Sequence, residues 1–302
     1  MEGYYTIERW LAFFFIYSFL GWCIESTIVS VSKRKLTNRG FLKGPMLPLY
    51  GFGALTIIIS TLMVADNAVL VYICGMIAAT ALEYVTGAAM EAIFNMKYWD
   101  YSDKKLNIQG HICLSSSLAW GVFTLLLIRV VHPRISALLE KIPQNVCFGA
   151  LFVITIVFSI DFASSFHAAM DLRQILESIT NLKSDAEKLR ERFIVLTDSV
   201  SETLRDKIGT IKKPESSRIE EFQISVSEYL EKLYSLVPKE KTADVIRLKE
   251  RFAYLGELKN AISKRMDFRK IILLKGNPML TSKKYADALN SLKEQIGLNK
   301  NK

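Results

Sequence analysis

The chain has 302 residues, of which 50% are hydrophobic and 23% charged, with a formal net charge of +9. So apolar a composition beside so many charges excludes one chemical character throughout and predicts two parts of different kind. Cys23, Cys74, Cys113 and Cys147 lie in or beside apolar segments with no CxxC spacing, which argues against a disulfide framework or metal site and makes them small buried hydrophobes.

The charge map divides the chain. Through residue 171, twelve Lys/Arg face eleven Asp/Glu; over 172–258 the signs balance; over 259–302 eleven Lys/Arg face three acids. The expected domains are a membrane helical domain over 1–171, amphipathic helices or coiled coil over 172–258, and a basic C-terminal tail over 259–302.

Five segments, 10–31, 47–64, 68–94, 112–131 and 146–170, are long enough to cross an apolar core of about 30 Å, which takes roughly 20 helical residues. The first is not a cleavable signal, because Glu2 and Glu8 stand where a basic region belongs, the run is too long and no A-x-A site follows. Only residues 65–67 separate the second and third, predicting a tight helical hairpin. Lys33, Arg34, Lys35, Arg39 and Lys43 place the first loop in the cytoplasm, with Lys104 and Lys105 on the same side. The N-terminus is then outside and the C-terminus cytoplasmic, although 129–141, assigned outside, is mildly basic. Tyr4, Tyr5 and Trp10, and Tyr98, Trp99 and Tyr101, suit interfacial aromatic belts.

Beyond residue 170, Ile175, Leu182, Leu189 and Leu196 recur every seven residues, with Ile179, Ala186, Phe193 and Val200 in the complementary position. This four-heptad seam predicts helical packing. A break at 212–217, centred on Pro214, precedes a helix through Ile219, Phe222, Val226, Tyr229, Leu230 and Leu233, which Pro238 ends. A third helix over 241–268 carries Ile246, Phe252, Leu255 and Ile262. An intramolecular bundle and a dimerising coiled coil both fit, and the nearby partner helices favour the former. Lys264, Arg265, Arg269, Lys270, Lys275, Lys283 and Lys284 surround an apolar stretch at 271–274. Such a segment binds anionic lipid at about 1 kcal/mol per basic residue, or is a solvated tail. No recognition motif accompanies the charge, so nucleic acid is not an expected partner. The fold class is all-α: a polytopic membrane protein with about five transmembrane helices and a cytoplasmic helical or coiled-coil region.

Glu25, Glu83, Glu91 and Asp161 sit inside the apolar runs. A carboxylate there is costly and is kept where it faces a bundle interior, a wet cavity or a partner charge. Ser18, Gly21, Trp22 and Glu25 share one helical face. Gly75, Ala79, Glu83, Gly87 and Glu91 repeat every fourth residue, a small-residue stripe that admits a neighbouring helix. Asp161, Ser164, Ser165 and Ala168 form a third polar face. All four acids fall at mid-membrane or in its cytoplasmic half, which suggests an inward-opening acidic cavity. The competing view makes them structural, but interhelical hydrogen bonds in membranes average only about 0.6 kcal/mol.

Asn38-Arg39-Gly40-Phe41-Leu42-Lys43-Gly44-Pro45, followed by Pro48, Tyr50, Gly51 and Gly53, predicts irregular backbone at a span entrance. Such backbone lines cavities and can coordinate substrates or ions; a tight loop with proline opening a helix is the plainer alternative. Asn107-Ile108-Gln109-Gly110-His111 opens the fourth span in a similar way.

These motifs, with Gly21-Trp22 and Glu25, Tyr50-Gly51-Phe52-Gly53-Ala54, Leu82-Glu83-Tyr84, Met90-Glu91, Trp99-Asp100-Tyr101-Ser102, and Asn107 with Gly110, resemble the bacterial ABC transporter permease family of type IV, or CmpB-like, over roughly 13–143. The resemblance implies a permease subunit of the bacterial inner membrane that needs a separate ATPase. This chain has no G-x-x-x-x-G-K-[ST] phosphate loop of its own. It departs from the family at His111, where an arginine is expected, which puts an anion-binding role there in doubt. The expected function is a transport component. Glu25, Glu83, Glu91 and Asp161 would bind a cation, proton or cationic substrate; Arg39 would neutralise or orient, and Asn38, Tyr50 and Asn107 would line the site. Gly40, Gly44, Pro45, Gly51, Gly53, Trp99, Asp100 and Tyr101 would shape it. The alternative is a membrane sensor or scaffold acting through its cytoplasmic helices. A membrane-embedded enzyme would need a nucleophile–base pair, and only Glu83, Glu91 and His111 approach one, so no catalytic residue, metal or cofactor is expected. Expected partners are the lipid bilayer, an ATPase subunit or a second copy, and anionic lipid at the tail.

Overall fold

The computed structural model describes residues 5–201 and 239–298. It is about 77% helical and has no strand among the described residues, as the all-α expectation requires. In chain order the helices are α1 (Ile7–Lys33), α2 (Pro48–Thr61), α3 (Ala68–Phe94), α4 (Leu114–Leu126), α5 (His132–Glu140), α6 (Gln144–Ser201), α7 (Lys239–Lys264), α8 (Phe268–Gly276) and α9 (Ala286–Gln295).

Four stretches are long and apolar enough to cross a membrane: Ile7–Lys33, Ala68–Phe94, Leu114–Glu140 and Gln144–Val195. The second expected span is shorter. Pro48 opens α2 in its first turn, and the helix runs through a 3₁₀ turn only to Val64. At 1.5 Å per residue that is roughly 25 Å, less than the apolar core. Asn67 then caps α3 by accepting from the amides of Val69 and Leu70. Four helices thus reach span length where about five were expected, and α2, although short, still returns the chain so that the loop after α1 meets the end of α3 through Arg39 with Tyr98 O and Phe41 with Phe94. The fourth does not stop at Val131 but crosses a π-helical turn, Leu127–Val131, and continues as α5. Pro133 is tolerated there because it falls at the first turn of the renewed helix. Nor does α6 end near residue 170, since no Gly or Pro interrupts residues 150–201.

Two compact units emerge, Met1–Arg173 with Phe268–Lys302, and Gln174–Asp267. In the first, α1 and α2 meet through glycines. A Cβ on Gly21 would lie 2.3 Å from Tyr50 Cβ, and one on Gly51 would lie 2.3 Å from Ser18 Oγ. Pro48, Tyr50, Gly51 and Gly53 are therefore helical, correcting the expectation of irregular backbone through them, and Gly51 serves close approach. The irregular run is confined to the α1–α2 loop before Pro48. On α3, Gly75 abuts Thr124 of α4, and Glu83 and Gly87 are buried with it, so the small-residue stripe does face a helix. Ala12, Phe14 and Phe15 pack with Leu151, tying α6 to α1. Large apolar side chains such as Ile77, Val85, Val122 and Phe152 stay exposed, as lipid-facing positions require.

The segment from Phe268 belongs to this unit and is folded. Leu273, Leu274, Leu280, Leu289 and Leu292 are buried. Lys97 and Thr281 exchange backbone hydrogen bonds of 2.8 and 3.0 Å, Ser282 Oγ donates to Asn95 O at 2.7 Å, and Asn277 Nδ2 donates to Gly40 O at 2.7 Å.

In the second unit, Ile175, Leu189 and Phe193 of the heptad seam are buried, and Ile179, Leu182 and Ala186 are half-buried. On α7, Val245, Leu248, Phe252, Leu255 and Ile262 are buried, while Ile246 is 40% exposed; the stripe runs through its neighbour instead. Arg265 donates to Gln174 Oε1 at 2.9 Å. The side chains of Leu196 and Val200, the break at 212–217 and the helix through Ile219, Phe222, Val226, Tyr229, Leu230 and Leu233 lie outside the described residues, as do Pro238 and Tyr4.

Candidate functional site

The four acids fall into three environments. Glu25 and Glu83 share the first. Tyr50 OH on α2 donates to Glu25 Oε1 at 2.8 Å. Glu83 Oε2 accepts from Trp120 Nε1 of α4 at 2.9 Å, and its Oε1 from Tyr101 OH at 3.3 Å. The rings of Tyr50 and Trp120, 5.8 Å apart, join the two halves. Glu83 is 5% exposed, whereas the Glu25 side chain is 32% exposed. Each acid is thus held by neutral donors from another helix or loop, and the cluster is open at Glu25 and closed at Glu83.

The nearest fixed positive charge is Arg39, whose Nε lies 3.9 Å from Glu25 Oε2. Its other nitrogens donate to Asn277 Oδ1 at 2.9 Å, Tyr98 O at 3.2 Å and Gly276 O at 3.4 Å. Burial pulls the Arg39 guanidinium below its ordinary range, against the opposing pull of Glu25, Tyr50 and Tyr101; it remains a cation. Burial first, and then the charge of Glu83, hold the Tyr101 phenol above its ordinary range, so it stays a neutral donor.

Asp161 sits elsewhere. Its two oxygens accept from the backbone amides of Gly44 at 2.8 Å and Lys43 at 3.3 Å, with Ser165 Oγ at 3.4 Å. It therefore pins the α1–α2 loop to α6. Asn38 works within that loop, accepting from Trp22 Nε1 and donating to Lys43 O. Gly40 has φ +132°, a conformation that favours glycine, while Pro45 is exposed.

Glu91 forms the third environment. His111 Nε2 lies 3.0 Å from Glu91 Oε2, and Lys97 Nζ lies 3.9 Å from Glu91 and 3.7 Å from Asp100. Burial first, then Lys97, hold the His111 imidazole below its ordinary range despite Glu91, which makes the neutral ring the favoured form. For Asp100, burial is outweighed by hydrogen bonds from Ser102 and Thr281 and by Lys97, and its carboxyl sits below the usual range. Trp99 Nε1 donates to His111 O at 2.8 Å. Asn107 closes the loop by donating to Ser102 O and Lys104 O and accepting from Gly110 N.

Sequence reasoning missed Lys97, Trp120 and Asn277. Lys97 is 3% exposed and supplies the fixed positive charge beside His111. Its signal was a lone lysine directly after an apolar run. Trp120 carried a weaker one, lying four residues after Ser116 on α4. Asn277 had none, because its role is a contact between residues more than two hundred positions apart.

A family model described as "Putative ABC-transporter type IV" matches residues 12–166, half of the chain. The chain belongs to this family. The type IV match contains all four acids, the α1–α2 loop and Trp120, and ends before the docked segment α8–α9. Together with the apolar helices, it identifies a membrane protein of the transporter class. No curated protein and no solved structure matches significantly.

Proposed function

We propose that this type IV family member is a transport component, not an enzyme, whose Glu25–Glu83 cluster receives a cation, proton or cationic substrate from the cytoplasmic side. The observation that carries the reading is the supply of neutral donors alone to a 5% exposed carboxylate inside a membrane-crossing helix. Such a group keeps the capacity to take up positive charge, because no protein cation among the described residues contacts it directly. Glu25, the more accessible acid, is the entry point, and Arg39 balances its charge while the site is empty. Tyr50 and Trp120 orient the pair. Asp161 and Glu91 hold the surrounding loops.

Lys33, Arg34 and Lys35 at the end of α1, with Lys104 and Lys105 in the α3–α4 loop, support placing this end of the bundle in the cytoplasm, with the N-terminus outside. In this orientation the site faces inward. Energy comes from a separate ATPase subunit, and a second copy of the chain would complete a fuller set of spans around the site. A sensor or scaffold is the second reading, favoured by one observation: Arg39 joins Glu25 to Asn277 and Gly276 of the C-terminal segment.

The test is thermal unfolding of the full chain in detergent with sodium, potassium, guanidinium or tetramethylammonium, and across pH. The wild type should show a cation- or proton-dependent shift that Glu83→Gln abolishes while keeping its basal midpoint near wild type. A wild type indifferent to every cation and with the same pH response as Glu83→Gln, or a variant that simply melts lower, would overturn the reading.

A further inference from the structure

At the loop end of the bundle, a cleft separate from the Glu25–Glu83 cluster opens between the α1–α2 loop, α6 and α8. Phe41, Leu42 and Leu273 form apolar walls, Ser165 lies on the α6 side, and Lys43 and Arg269 are its two cations. Neither cation is neutralised by a protein acid among the described residues. Lys43 Nζ donates to the hydroxyl of Ser164 at 3.0 Å. Arg269 is exposed and forms no ion pair among the described residues. The adjacent acid is Asp161, whose oxygens are occupied by the amides of Lys43 and Gly44 and by Ser165. Lys270, next along α8, is buried and paired with Asp171 at 3.4 Å.

The depth of the cleft identifies its partner. On α6, Val157 and Ile160 are 61% and 67% exposed, the mark of a lipid-facing surface, and charges begin again at Asp171 and Arg173. Ser165 lies within this transition, where headgroups meet the acyl region. Phe41 in the cleft wall packs on Phe162 at 6.0 Å, and Phe162 stacks on Phe158 at 6.1 Å. An apolar track therefore leads from the cationic mouth along the exposed Phe162 to the half-buried Phe158, beside the lipid-facing Val157 and Ile160. Two uncompensated cations above such a track match a phosphate carrying acyl chains.

We propose that this cleft binds the headgroup of an anionic phospholipid, with the phosphate between Lys43 and Arg269 and an acyl chain along Phe162. The inference stands independently of any transport role. Exposed basic side chains elsewhere on the segment, Lys275, Lys283 and Lys284, would strengthen general attraction to an anionic leaflet without forming this site.

The experiment is native mass spectrometry of the full-length protein in detergent, titrated with phosphatidylglycerol, phosphatidylcholine or inorganic phosphate. The wild type should retain phosphatidylglycerol over phosphatidylcholine. The double variant Lys43→Ala/Arg269→Ala should bind it about twenty-five-fold more weakly, at about fivefold per cation. Lys43→Arg/Arg269→Lys should keep the preference. If the double variant fails to fold, Arg269→Ala alone, at an exposed position, should lose about fivefold. Equal retention of the two lipids, or undiminished phosphatidylglycerol binding in the alanine variants, would overturn the proposal. Inorganic phosphate competing as strongly as the lipid would assign the cleft to a free anion instead.

Discussion

Glu83 and Asp161 look alike in the sequence, each an acid inside an apolar helix beside small residues, yet the fold uses them in opposite ways. Asp161 is satisfied by backbone amides of a loop that it holds against α6. Glu83 is satisfied by a tryptophan and a tyrosine side chain from two other parts of the bundle. A carboxylate that accepts main-chain amides fixes backbone and cannot be released without loosening it. One served by side-chain donors can exchange a partner for a ligand. Position in an apolar run thus marks an acid as expensive, while the origin of its donors tells whether the expense is structural.

The sharpest break in this contrast comes from Asp161→Ala, which leaves two amides without acceptors. Hydrogen bonds to a charged group contribute about 1.5–3 kcal/mol each, so unfolding in detergent should show a loss of about 3 kcal/mol. Glu83→Gln should lose less than about 1 kcal/mol, since an amide oxygen can still accept from Trp120. Reversed magnitudes would invert the assignments.

Next comes Gly21→Ala. Its new methyl would sit 2.3 Å from Tyr50 Cβ, an atom fixed to the α2 backbone, so the helices must part. Overpacking of this kind costs about 1–3 kcal/mol and would carry the Tyr50 hydroxyl away from Glu25. A wild-type midpoint would show that α1 and α2 are not in such close contact.

Asn277→Ala should cost about 1–2 kcal/mol through lost bonds to Gly40 O and from Arg39. Amides of α8 and α9 should then exchange faster with solvent by hydrogen–deuterium exchange. Unchanged protection would mean that the segment is held by its leucines alone.

The smallest effect concerns pH. His111 is held below the ordinary value of about 6.5, so the unfolded chain takes up a proton that the fold resists. Its contribution to stability is present above that value and is lost as pH falls from it toward the folded pKa. Glu91, Lys97, Lys283 and Asp100 are the charges that face it. His111→Gln should flatten the fall of the unfolding midpoint as pH drops below about 6.5; an unchanged slope would locate the titration elsewhere.

Much of the helical framework was legible, because a membrane helix is written in a long apolar run and a helix contact in small residues every fourth position. Gly75, Ala79, Glu83 and Gly87 are buried along that stripe. Glu91, two turns beyond Glu83, was grouped with it, but periodicity says nothing of the α3–α4 loop that brings His111 and Lys97 to it. The stretch after residue 259 reads through its charge, which hides Leu280, Leu289 and Leu292 and gives the apolar stretch at 271–274 no core to join. Its docking uses backbone groups of Lys97 and Gly40, which leave no pattern in side-chain hydropathy. The α2 glycines were legible as unusual but not as contacts, since a glycine allows irregular backbone and close helix approach equally.

The most direct measurement is a double-mutant cycle on the cation- or proton-dependent shift in unfolding midpoint, comparing Glu25→Gln, Glu83→Gln and their combination with Asp161→Asn paired with each. Residues in one polar network couple by 0.5 kcal/mol or more, whereas separated ones add. Glu25 and Glu83 should be strongly non-additive, and Asp161 should be additive with both. Additivity between Glu25 and Glu83, or coupling of all three alike, would contradict the account.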